Sequence, residues 1–136
     1  MNKEMTAQLI EAAIEARAKS YSPYSGFSVG AALLGASGKI FTGANIESAS
    51  YTPTVCAERV AFFSAVHSGE KSFTAIAIVG GMDGISDFVA PCGVCRQVMA
   101  EFADADFEII LYNGTEARVH TLAEMFPFSF GKSDLK

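Results

Sequence analysis

The chain carries three cysteines, Cys56, Cys92 and Cys95, and each stands among residues suited to metal chemistry. Cys92 and Cys95 lie in Pro91-Cys92-Gly93-Val94-Cys95, a spacing that sets both sulfurs on the first turn of one helix, near enough to share an ion. Cys56 opens the run Cys56-Ala57-Glu58-Arg59, also where a helix is expected to begin. Two helix N-termini then aim unpaired N–H groups and positive dipole ends at thiolates, which favours the ionised, ligating form. Three thiolates around Zn²⁺ leave one surplus negative charge. That surplus weakens a Lewis acid and raises the pKa of a bound water. The helix ends offset it, and Arg59 is placed to donate to the sulfurs as well. Glu58, two residues past Cys56, offers a carboxylate able to take and return protons.

Each of these residues also has a plainer reading. Free cysteine is among the most buried residue types, and Glu58 by itself would pass for a first-turn acid favoured by the helix dipole. The third cysteine, the glutamate two residues on and the proline before Cys92 occur together, which argues for a metal site over inert thiols. A structural zinc site usually closes with four protein ligands, and neither histidine is placed to be the fourth. His67 lies three turns down the helix from Cys56, about 16 Å away at 1.5 Å per residue. His120 lies in a separate, late segment. Three protein ligands with an open fourth position is the catalytic pattern.

The Cys56-Ala57-Glu58 box and the Pro91-Cys92-Gly93-Val94-Cys95 box, in this order, resemble those of the small, single-domain cytidine deaminases. Cysteine stands at Cys56 where many zinc deaminases have histidine, which gives an all-thiolate variant. The resemblance extends through Phe27 and Asn45-Ile46-Glu47 and so covers most of the chain. It implies one zinc ion per chain on Cys56, Cys92 and Cys95, with Arg59 bonded to the ligand sulfurs. Glu58 then moves a proton from the activated water to ring N3 and a second to the departing ammonia.

Asn45 and Glu47 lie two apart at a strand end, so their side chains point the same way. Alone they would read as turn chemistry and a solvated strand end, and Phe27 as core. The resemblance implies that the pair grips the sugar 3′-hydroxyl, that Phe27 packs near the substrate and that the Ala57 N–H reads the pyrimidine O2. A carboxylate near the sugar and an acidic chain disfavour a 5′-phosphate, so free cytidine and deoxycytidine are expected over nucleotides. Two alternatives remain open: a deaminase of a cytosine-containing aminonucleoside antibiotic, and a catalytically silent zinc-binding interaction module. Arg96 and Gln97 either support the zinc shell or simply start a helix.

The elements that must position these residues follow from periodicity. Residues 2–19 read as a helix, with Met5, Leu9, Ala13 and Ala16 at helical spacing, and Tyr21-Ser22-Pro23-Tyr24-Ser25-Gly26 ends it. Residues 27–34 and 39–46 read as strands of an antiparallel hairpin turned at Ala36-Ser37-Gly38. A helix is expected over 56–67 with Val60, Phe63 and Val66 inward. A strand over 73–79, apolar on both faces, suits the centre of a sheet covered on both sides. A helix over 92–102, with Val94, Val98, Met99 and Phe102 inward, then leads to a strand over 107–112 through a parallel crossover. A short strand near 118–120 and a short helix near 122–126 complete a three-layer α/β sandwich with a mixed sheet of about five strands.

At 136 residues the chain reads as a single domain over 1–136. The net charge of −5 disfavours a nucleic-acid partner, whose binding draws on clustered Lys and Arg. No apolar run reaches the roughly 18 residues that span a membrane, and the acid at Glu4 is unlike a secretion signal. An odd cysteine count favours reduced thiols and a cytoplasmic location. Half the residues are hydrophobic and mean hydropathy is +0.27, a surplus that points to subunit interfaces. The resemblance implies a homotetramer with shared active sites, with contacts at Tyr21-Ser22-Pro23-Tyr24. It also implies that Phe130, in the aromatic run Phe126-Pro127-Phe128-Ser129-Phe130, is inserted into a neighbouring subunit's site.

Overall fold

The computed structural model describes residues 1–135. The chain opens with helix α1 (Lys3–Arg17), capped by the Asn2 side chain, which accepts from the Met5 N–H at 2.8 Å. Strands β1 (Ser28–Gly35) and β2 (Ile40–Ala44) form the expected antiparallel hairpin. Helix α2 (Ala57–His67), strand β3 (Phe73–Gly81) and helix α3 (Gly93–Phe102) follow. Strand β4 (Glu108–Tyr112) pairs parallel with β3, and β5 (Ala117–Thr121) runs antiparallel to β4. Helix α4 (Leu122–Met125) begins with a capping box between Thr121 and Glu124, and a short 3₁₀ turn over Lys132–Leu135 follows.

The five strands lie in the order β2-β1-β3-β4-β5, which makes β3 the centre of the sheet. Its two apolar faces are used separately. Ala75, Ala77 and Val79 join Leu9 and Ala13 of α1 in one core, while Ile76 and Ile78 join Ala61, Phe62 and Met99 in the other. The architecture is therefore three layers, with α1 on one face and α2 and α3 on the other, as the alternating pattern predicts. Phe62 centres the second core, its ring 5.1 Å from Phe73 and 5.9 Å from Phe107 by centroids.

Two expected faces differ. On α2 the buried residues are Ala57, Glu58, Ala61, Phe62 and Ala65, whereas Phe63 is 49% exposed and Val60 and Val66 are half-buried. The cause is a close approach to the sheet: a Cβ on Gly43 of β2 would lie 2.5 Å from the Ala57 carbonyl oxygen and 2.6 Å from the Ala61 nitrogen. The missing Cβ of Gly43 lets the α2 backbone at Ala57 and Ala61 come that close, and the face the helix buries is the alanines together with Phe62. On α3, Cys95 and Met99 are buried and Val98 and Phe102 half-buried, but Val94 is exposed. Burying Cys95 in the first turn of so short a helix turns its neighbour Val94 outward.

Candidate active site

Cys56 and Cys92 are the N-cap residues of α2 and α3, and neither makes a side-chain cap hydrogen bond. The first N–H groups of each helix have no carbonyl one turn back to bond, and the partial positive ends of both helices converge on the cysteine cluster. α2 and α3 pack side by side on one face of the sheet. The Cys56 and Cys92 sulfurs stand 3.9 Å apart, those of Cys92 and Cys95 3.6 Å apart, and all three lie within 4.8 Å of one another. A tetrahedral zinc with bonds of about 2.3 Å to sulfur requires sulfur–sulfur edges of about 3.8 Å. The donor set fits zinc in both chemistry and size.

Charge is distributed to match. The Cys95 thiol and the Arg59 guanidinium, the latter donating from Nη2 to Cys56 Sγ at 3.5 Å, hold the Cys56 thiol down at about 5. Its neighbour Cys56 and burial push Cys95 upward. Cys56 thus favours the thiolate and Cys95 the thiol, and a cation held between them displaces the remaining proton. Glu58 is 4% exposed, and burial pushes its carboxyl up to about 7. A carboxyl poised near neutrality beside a metal site can take a proton and return it.

These groups open onto a cavity of about 260 Å³ whose lining includes Phe27, Asn45, Glu47, Cys56, Ala57, Glu58 and Cys92. Seven of the residues named from the sequence thus meet at this cavity, whereas Phe130 is exposed and lines no part of it. Cys95 is buried behind the opening, and Arg59 lies beside the sulfurs. Ala57 is the first residue of α2, so its N–H has no partner within the helix.

The residue 3–111 segment matches the family model described as the cytidine and deoxycytidylate deaminase zinc-binding region. This chain belongs to that family. A cytidine deaminase of Sporosarcina psychrophila is 46% identical over 129 residues, covering 94% of this chain and 93% of its own. One of Halalkalibacterium halodurans is 45% identical over 136 residues, covering 99% and 98%. The crystal structure of a cytidine deaminase from Burkholderia pseudomallei superposes with a TM-score of 0.84 at 46% identity, covering 96% of this chain and all of that one.

In this member of the cytidine and deoxycytidylate deaminase family, Asn45 and Glu47 lie beyond the end of β2, and the Ile46 between them bridges both Tyr21 and Val55. Both side chains already have protein partners. Asn45 Oδ1 accepts from the Val29 N–H at 2.9 Å and from Ser20 Oγ at 2.5 Å, and its Nδ2 donates to the Phe27 carbonyl at 2.8 Å. Glu47 accepts from the Tyr24 and Ser25 N–H groups at 3.0 and 3.1 Å and from the Ser25 hydroxyl. Those bonds, the Ser25 hydroxyl first, hold its carboxyl below the usual carboxylate value. Ser20 and Ser25 are the residues that sequence reasoning missed. They sit in a turn-forming stretch with no periodicity, and only the fold brings them to Asn45 and Glu47, more than twenty residues on.

Proposed function

We propose that this chain deaminates free cytidine and deoxycytidine hydrolytically, giving uridine and deoxyuridine with release of ammonia, in pyrimidine salvage. The observation that carries the reading is a buried glutamate, Glu58, beside three clustered cysteine sulfurs, with Glu58, Cys56 and Cys92 at the wall of one cavity. The family and its cytidine deaminase relatives support it.

Zinc held by Cys56, Cys92 and Cys95 supplies Lewis acidity toward the attacking water. Glu58 accepts a proton from that water and delivers it to ring N3, which makes C4 electrophilic. As oxygen bonds to C4, Glu58 carries the second proton to the amino nitrogen, and the C–N bond breaks with departure of ammonia. The near-neutral Glu58 carboxyl suits both transfers. Arg59 tempers the charge of the sulfur set. The Ala57 N–H contacts the pyrimidine O2, the ring packs against Phe27, and Asn45 and Glu47 hold the sugar hydroxyl. Each of the last two keeps its bonds to the 20–29 segment and uses the hydrogen-bonding capacity left over: a second N–H of Asn45 and remaining lone pairs of Glu47.

The catalytic unit spans 1–136 and assembles as a homotetramer. Tyr21, Tyr24, Phe63 and Phe130 are all about half exposed or more, which favours burial between copies. Phe130 completes a neighbouring subunit's site. Three free thiols serving as ligands suit the reducing cytoplasm. No helix among the described residues is long and apolar enough to cross a membrane.

Ultraviolet absorbance with cytidine, deoxycytidine and CMP in parallel, with zinc measured on the same sample, tests this reading. Loss of the cytidine and deoxycytidine signals at one zinc per chain, with CMP unchanged, is the expected result. Bound zinc with no turnover of any of the three would move the assignment to an aminonucleoside deaminase or a silent zinc module.

A further inference from the structure

Arg96 and Gln97 follow the ligand Cys95 directly, and the structure gives both a task. Arg96 reaches in two directions: Nε donates to the Pro91 carbonyl at 2.9 Å and Nη1 to the Met125 carbonyl at 2.7 Å. Pro91 is buried and immediately precedes Cys92. It has no N–H, so the turn that presents Cys92 is anchored through its carbonyl. Met125 ends α4, where a helix leaves its last carbonyls without partners. One residue on, Gln97 Nε2 donates to the Phe130 carbonyl at 2.8 Å. Among the described residues no carboxylate lies within ion-pair reach of Arg96, the ion pair found there being Arg118–Glu116. Both ends of the guanidinium thus go to backbone carbonyls, one at the metal site and one at the C-terminal segment.

We propose that Arg96 is a positioning residue for the metal. It acts as a two-ended clamp that sets the Pro91–Cys92 turn against the C-terminal segment, so that zinc retention and the docking of residues 125–130 are linked. A forked, permanently charged donor suits this task, because it satisfies two carbonyls in a fixed relative geometry. The linkage is reciprocal: if the docked segment holds Cys92 where the ion needs it, the bound ion holds the segment docked. Gln97 adds a second tie to the same segment. The inference rests on the three-thiolate zinc site and is independent of which nucleoside is the substrate.

The test needs no substrate. Zinc-loaded wild type, Arg96→Met, Arg96→Lys and Gln97→Leu are mixed with excess chromogenic chelator, and zinc release is timed. Arg96→Met is expected to release zinc about tenfold faster, the lower end of the effect of removing an outer-shell partner. Arg96→Lys, with a point charge in place of the fork, falls between it and wild type. Gln97→Leu, which loosens only the segment, gives a smaller acceleration. A second measurement needs no variant to fold: backbone hydrogen exchange over 125–131 in wild type, expected to speed up when zinc is stripped. A merely structural role would lower the melting temperature of loaded and stripped protein equally, whereas the clamp narrows the gap between them. Release from Arg96→Met at the wild-type rate, or exchange over 125–131 indifferent to zinc, overturns the proposal. Wild type that takes up no zinc would remove the metal site and the proposal with it.

Discussion

Arg59 donates from Nη2 to the Cys56 sulfur, while its Nε is buried with no hydrogen-bond partner among the described residues. Arg59 is half-buried, and a guanidinium nitrogen shut away from water without a partner is costly unless negative charge faces the group; the sulfur set is the negative charge at hand. The placement of Arg59 is therefore tied to the ionisation of the thiols. The Cys56 bond raises the Arg59 pKa, as the pairing requires. Arg59→Gln keeps a hydrogen-bond donor of reduced reach and removes the charge. Zinc affinity is expected to fall about tenfold or more, and turnover of zinc-saturated enzyme to fall with it, checked by chelator competition and steady-state kinetics. Wild-type values for both would separate Arg59 from the metal site.

Glu58 is buried and its carboxyl sits near 7, yet it is not placed as a metal ligand. Glu58→Gln is nearly isosteric and keeps the polarity of the site, but it cannot carry a proton. Zinc content should stay at one per chain while kcat falls by at least the 10²- to 10⁴-fold typical of general acid–base residues. Turnover close to wild type would remove Glu58 from the mechanism.

Phe62 is fully buried at the centre of the aromatic cluster with Phe73, Phe102 and Phe107, and it packs α2 against both α3 and the sheet. Phe62→Ala should cost about 3–5 kcal/mol in stability. Chemical denaturation of the zinc-loaded protein measures it. A cost under about 1 kcal/mol would mean that the cluster repacks around the missing ring.

The zinc boxes were legible because their information is local. A ligand, a proton carrier and a helix start lie within four residues of one another, and the spacing survives any detail of packing. The central place of β3 was legible too, since a strand apolar on both faces has few other places to go. The face of α2 was not. Val60, Phe63 and Val66 carry more apolar surface than Ala57, Ala61 and Ala65, and a size-weighted reading turns them inward. The close approach is permitted by Gly43 on another strand, whose missing Cβ admits the helix backbone and which cannot be seen from α2 alone. Likewise, nothing near Asn45 in sequence announces that its carboxamide ties down Phe27 and Val29. Contacts that depend on two distant segments meeting leave no period to read.

Glu47 offers a pH test with a definite sign. The Ser25 hydroxyl and the Tyr24 and Ser25 N–H groups lower its pKa from 4.5, so these bonds favour the ionised form. A carboxyl with a depressed folded pKa contributes stability that is present above its unfolded value and lost as pH falls through its folded value. The turn at Tyr24–Ser25 should therefore be held fully above pH 4.5 and loosen as acid carries the solution from there down through the lowered folded value. Hydrogen exchange of the Tyr24 and Ser25 amides, corrected for the intrinsic rate, reports this directly: protection constant above pH 4.5 and falling as the pH drops below it. Glu47→Gln should be less protected than wild type above pH 4.5 and show no such step. Wild-type protection that falls between pH 7 and 5 would mean that another group holds the turn.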